Sequence, residues 1–137
     1  MNAPADRSPA QRWFALALED IRAAEILLDN GSAALRIVGF LSQQAAEKAL
    51  KAGLFAISVN IPKIHGLSQI LSQYPPDECP AVDLNDLDEL DPWIVDGRYA
   101  ADLPDVGVAE ANQLLEAARR IVDAVGVAAP HLDPKSI

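Results

Sequence analysis

The sequence predicts an all-α domain. Apolar residues recur at three- and four-residue steps in separate stretches, the pattern of helices that bury one face. Ala and Leu dominate the hydrophobic half of the chain, aromatics make up only 5%, and β-branched residues never gather into alternating runs. Helix-start and helix-stop residues bracket the periodic stretches.

The first helix should start at Ser8-Pro9-Ala10-Gln11. Ser8 can cap the free amides, Pro9 suits the first helical position, and Gln11 can complete a capping box. Phe14, Ala17, Leu18, Ile21, Ala24 and Leu28 then form its apolar stripe, and Asn30-Gly31 ends it near Asp29. Ser32 can cap a second helix with the stripe Leu35, Val38, Ala45, Ala49, Ala52 and Ala56. Its many small residues, Gly39 and Gly53 among them, favour close antiparallel pairing with the first helix and a central position in the fold. His65 to Leu71 reads as a short third helix, closed by Tyr74-Pro75-Pro76. Leu84, Leu87, Leu90 and Ile94 space out an acidic fourth helix that Pro92 should kink or break, with an irregular stretch beyond it through Pro104. Val108, Ala111, Leu115, Ala118, Val122 and Val125 mark a last helix ending near Gly126, followed by a frayed tail.

The chain's 137 residues suit one domain, expected over 9–126 with flexible termini at 1–8 and 127–137. No apolar run approaches the ~20 residues of a membrane span, and Met1 to Arg12 lacks the apolar stretch of a signal peptide, so a cytoplasmic protein is expected. The single cysteine, Cys79, rules out an intramolecular disulfide and a four-cysteine zinc site. Neither a calcium-loop pattern nor a histidine ligand pair is present, so no metal site and no cofactor are expected. The net charge of −9 is concentrated: Asp77 to Asp105 holds ten acids against one base, Arg98. That disfavours non-specific nucleic-acid binding and makes the Asp83–Asp91 run a candidate surface for steering a basic partner.

Three groups of residues are candidate sites. Gln44, Glu47, Lys48 and Lys51 share one side of the second helix, with Glu47 and Lys51 spaced for an ion pair. A solvated or ion-paired face, a dimer-facing polar strip, and a phosphate contact by Lys48 or Lys51 all fit that pattern. His65 should cap or start the third helix through a backbone hydrogen bond. Asp96, Arg98 and Tyr99 combine a guanidinium suited to carboxylate or phosphate with a ring that can stack, although the surrounding acids also offer Arg98 an internal salt bridge. Trp13, Phe14, Phe40, Phe55 and Trp93 are simplest as core or interface anchors.

Phe40-Leu41-Ser42-Gln43-Gln44-Ala45-Ala46-Glu47-Lys48-Ala49-Leu50-Lys51-Ala52, then Ile64-His65-Gly66-Leu67-Ser68-Gln69-Ile70-Leu71, then Asp96-Gly97-Arg98-Tyr99 together resemble the HEPN (higher eukaryotes and prokaryotes nucleotide-binding) domain, over about Trp13 to Val125. The resemblance implies an up-and-down bundle of four to five helices, frequent homodimerisation and, in many members, a genetic partnership with a minimal nucleotidyltransferase as a toxin–antitoxin pair. Members that cut RNA without metal carry an arginine followed after four to six residues by histidine. Here Leu103, Pro104 and Asp105 stand at those places after Arg98. The expected function is therefore a non-catalytic module acting through a homodimer and a protein partner. A degenerate ribonuclease using Arg98, Tyr99 and His65, or a nucleotide-binding domain, is the alternative.

Overall fold

Ser8 closes the first turn of α1 (Pro9–Asp29) as a reciprocal capping box: its hydroxyl accepts from the Gln11 amide at 3.1 Å, and the Gln11 side chain accepts from the Ser8 amide at 2.9 Å. The computed structural model describes residues 7–31, 35–60, 63–94 and 103–133. Ala10, Phe14, Ala17, Ile21 and Ala24 form the buried face of α1. The helix ends where Gly31 takes φ +58°, a conformation open to glycine at little steric cost. Ser32, the expected cap of the next helix, lies outside the described residues.

The chain returns as α2 (Leu35–Ala56), which packs on α1 and on the last helix and so occupies the centre of the bundle. Val38, Ala45, Ala46, Ala49, Leu50, Ala52 and Leu54 are fully buried, so α2 is covered on most sides, as a central helix must be. Its small residues act as expected: a Cβ on Gly39 would lie 2.6 Å from the indole of Trp93, which therefore packs directly on the α2 backbone.

The third helix, α3 (Leu67–Leu71), is shorter than the sequence suggested, because His65 and Gly66 precede it rather than belong to it. Its first amide, on Leu67, is capped from outside by Asp91 Oδ1 at 3.0 Å. Tyr74 follows, buried, with its hydroxyl donating to the Leu50 carbonyl of α2; burial pushes its pKa well above the usual phenol range. Asp83 caps α4 (Leu84–Leu90), accepting from the Asn85 amide at 2.9 Å. Leu87 and Leu90 are buried and Leu84 is exposed. Pro92 ends regular helix as anticipated, inside a 3-10 turn at Asp91–Trp93.

The last helix, α5 (Val108–Ala128), runs past Gly126, its expected end. What stops it is Pro130: the residue before a proline is pushed out of the helical region, and Ala129 sits at φ −138°, ψ 73°. Nor does the chain fray at once beyond α5. Pro130–Leu132 makes a 3-10 turn, Leu132 is buried, and the Gln11 side chain donates to the His131 carbonyl at 3.0 Å. The result is an all-α, up-and-down bundle in which α1, α2 and α5 build the main core while α3, α4 and the Asp91–Trp93 turn close one side. No helix among the described residues is long and apolar enough to cross a membrane.

Candidate functional site

Gln43, Glu47 and Lys51 stand at successive four-residue steps on α2, so their side chains stack along one side of the helix. Of the solvated or ion-paired face expected there, the ion pair forms but the solvation does not. Glu47 and Lys51 are 6% and 5% exposed, because α3 and the loop before it cover that edge of α2. Burial makes pairing obligatory, since a buried charge without a partner is strongly unfavourable. The Lys51 ammonium donates to Glu47 Oε2 at 3.1 Å, and Gln43 Nε2 donates to Oε1 at 3.2 Å.

His65 completes this cluster. Its Nδ1 lies 3.0 Å from Glu47 Oε2, and its carbonyl accepts from Gln43 Nε2 at 3.4 Å. The expected capping role for its imidazole is thus corrected: Asp91 caps α3, and the His65 ring, with its side chain 40% exposed, bridges the buried carboxylate to the surface. A carboxylate on Nδ1 fixes ring orientation, the arrangement that general acid–base chemistry and structural anchoring both use. Sequence reading grouped Glu47 with Lys51 and treated His65 as a separate candidate, and it missed Gln43 as a member of the site, whose four-residue spacing from Glu47 was the available signal.

Lys48 lies on the neighbouring side of α2 and pairs with Asp20 of α1 at 2.7 Å. Gln44 donates to the Gln43 side chain at 2.8 Å. Both lysines considered for phosphate are therefore engaged by carboxylates of this chain. Asp96, Arg98 and Tyr99 lie outside the described residues.

The acidic run from Asp83 to Asp91 divides by role. Asp83 and Asp91 cap helices, and Asp86, 4% exposed, takes a two-point fork from Arg120 of α5 at 2.9 and 2.8 Å. The hydrogen bonds to Asp86 are the main cause holding the Arg120 guanidinium above its ordinary pKa. Asp88 and Glu89 are exposed, as is the capping Asp83. No group of three potential metal ligands converges among the described residues. Cys79 lines a cavity of about 250 Å³ beside Tyr74, but burial pushes its thiol pKa up, the opposite of an activated nucleophile.

Phe14 and Trp93 are core anchors, whereas Phe55 is 41% exposed and Trp13 and Phe40 are half-buried. On α2, Ile37, Leu41, Gln44 and Lys48 follow a three- and four-residue spacing along one outer stripe, with Phe55 seven residues further on beyond buried Lys51 and Ala52; Trp13, Leu16, Asp20, Ala23 and Leu27 keep that spacing on α1. The Lys48–Asp20 pair joins the two stripes, so these two charges on the outer side of the α1–α2 hairpin compensate each other among otherwise mostly apolar residues.

Two solved structures share this architecture. The protein TT1696 from Thermus thermophilus is 26% identical, with a TM-score of 0.74 over 89% of this chain and 99% of its own. ST0689, an archaeal HEPN homologue, is 23% identical, with a TM-score of 0.69 over 93% of this chain and 100% of its own. No protein of curated function matches. The HEPN domain profile matches residues 10–128, from the first turn of α1 to the end of α5, and the chain belongs to the HEPN family.

Proposed function

We propose that this protein is a non-catalytic HEPN module that works as a homodimer and through a protein partner, in the manner of a toxin–antitoxin component beside a minimal nucleotidyltransferase. The observation that carries the reading is the outer face of the α1–α2 hairpin. Leu16, Ile37 and Phe55 are 46%, 45% and 41% exposed there, and half-buried Trp13, Phe40 and Leu41 extend the patch. Large apolar side chains exposed along one side of a helix pair mark an interaction site. On a molecule of net charge −9, most surfaces would repel a second copy; this one carries a lysine and an aspartate that already neutralise each other. Two such faces can meet about a two-fold axis without leaving a charge unpaired.

Light scattering on the size-exclusion peak tests the dimer. The wild type should run at twice the chain mass, and Leu16→Glu or Ile37→Glu at the chain mass with helical content retained. Affinity purification of the tagged protein from its host tests the partner. A monomeric wild type that captures nothing specific refutes the proposal.

One observation favours a second reading, a degenerate metal-independent ribonuclease. The His65 imidazole is held by a buried carboxylate and remains 40% exposed, a geometry compatible with moving a proton to or from a ribose hydroxyl. Labelled RNA left intact by nuclease-free protein, with no difference between wild type, His65→Ala and Arg98→Ala, disposes of it.

A further inference from the structure

We infer that a second copy of this chain meets the outer side of the α1–α2 hairpin with the two-fold axis running along the helices, so that Asp20 of each copy pairs with the partner's Lys48. The inference rests on the homodimer reading above and specifies which residues of the partner complete the surface.

Trp13, Asp20 and Leu27 follow one another at seven-residue steps on α1, and Leu41, Lys48 and Phe55 do so on α2. Seven residues advance a helix by about 10 Å and return to within about 20° of the same side, so each trio forms one row. The 2.7 Å contact between Lys48 and Asp20 sets the two middle residues level. Because α2 runs back along α1, Trp13 then lies level with Phe55, and Leu27 with Leu41. The result is three rungs, a charged one between two apolar ones. Arg12 and Glu19, exposed on the next row of α1, stand outside them.

The charged rung has capacity to spare. The Lys48 and Asp20 side chains are 26% and 16% exposed, and among the described residues the ammonium donates one hydrogen bond and the carboxylate accepts one. An ammonium carries three protons and a carboxylate two oxygens, so both can take a further partner approaching from outside.

In an isologous contact the two-fold axis lies in the plane of contact, and each residue faces the image of the one reflected across that axis. With the axis along the helices, α1 faces the partner's α2: Asp20 meets the partner's Lys48, Trp13 the partner's Phe55, and Leu27 the partner's Leu41. With the axis across the helices, α1 faces the partner's α1, so Asp20 meets the partner's Asp20 and Lys48 the partner's Lys48. Like charges set against each other in an interface are strongly unfavourable, so the charged rung selects the first arrangement. There the two pairs merge into a ring of two carboxylates and two ammonium groups with no net charge.

The test replaces the native thiol by Cys79→Ser and adds one new cysteine to each of several differently tagged full-length proteins, which are mixed and treated with a short bismaleimide. Leu27→Cys with Leu41→Cys should give at least about tenfold more mixed-tag product than Leu27→Cys with Trp13→Cys, a pair that the inferred arrangement holds about 20 Å apart and an axis across the helices would bring together. Asp20→Lys and Lys48→Asp should each run as monomers in light scattering, with helical circular dichroism retained, and should combine into a dimer when mixed. A dominant product between positions 27 and 13 overturns the arrangement. So does a dimer that gives neither product, or charge variants that dimerise on their own. The failures are distinguishable: a wild-type dimer with the wrong cross-link overturns this arrangement alone, whereas a wild-type monomer overturns the homodimer reading and this arrangement with it.

Discussion

Replacing Lys51 by methionine isolates the buried cluster on α2. The substitution keeps the length and most of the apolar volume of the side chain but removes the ammonium 3.1 Å from Glu47 Oε2, where the two side chains are only 6% and 8% exposed. At an effective dielectric of about 20, Coulomb attraction at that separation is worth about 5 kcal/mol. Stranding one partner of a buried pair destabilises by about 3–5 kcal/mol. Gln43 and His65 still contact the carboxylate, so the lower end applies, about 3 kcal/mol. For a domain of this size each kcal/mol shifts the melting temperature by about 4 °C, which gives a fall of about 12 °C. The double variant Glu47→Gln/Lys51→Met removes both charges and should return to within about 1 kcal/mol of wild type. Urea and thermal unfolding followed by circular dichroism measure all three proteins. A Lys51→Met variant no less stable than the exposed control Lys63→Met, or a double variant worse than the single, would refute the claim that burial of this charge pair governs its energetics.

Three further outcomes follow from packing and ionisation. Gly39→Ala gains about 1 kcal/mol of helix propensity but drives a methyl group to 2.6 Å from the Trp93 indole, so urea unfolding should show a net loss of about 1–2 kcal/mol; a stabilised variant would mean the contact is loose. Tyr74 has its pKa raised by burial, so its folded form favours the neutral phenol. Its contribution to stability is complete below the ordinary phenol pKa of about 10 and declines as pH rises beyond it; ultraviolet titration should show Tyr74 ionising only above that range, and Tyr74→Phe should abolish the late step. Burial likewise raises the Cys79 thiol, so its reaction with a disulfide reagent at pH 8 should be slower than that of free cysteine, and an equal or faster rate would refute the assignment.

Local signals were legible where the physics is local. The Ser8–Gln11 capping box, the Asn30-Gly31 stop, the helix break at Pro92 and the Glu47–Lys51 spacing each depend on residues within a turn or so of one another, and each appears as read. The small residues of α2 also announced a close-packed central helix, because an alanine stripe buries well only against a near neighbour.

What the sequence alone determined, then, was the set of helices, their breaks and the HEPN likeness, since periodicity and capping act through the backbone nearby. Tertiary structure alone decided which polar residues are buried. Glu47 and Lys51 look like a surface pair until α3 and the preceding loop close over them, and only then does His65, eighteen positions beyond Glu47, become its hydrogen-bond partner. The same holds for Asp86: within an acidic run it reads as part of a partner-steering surface, but α5 brings Arg120 against it across thirty-four positions and it is buried. Dehydration of a charge depends on what packs over it, and that covering comes from distant parts of the chain.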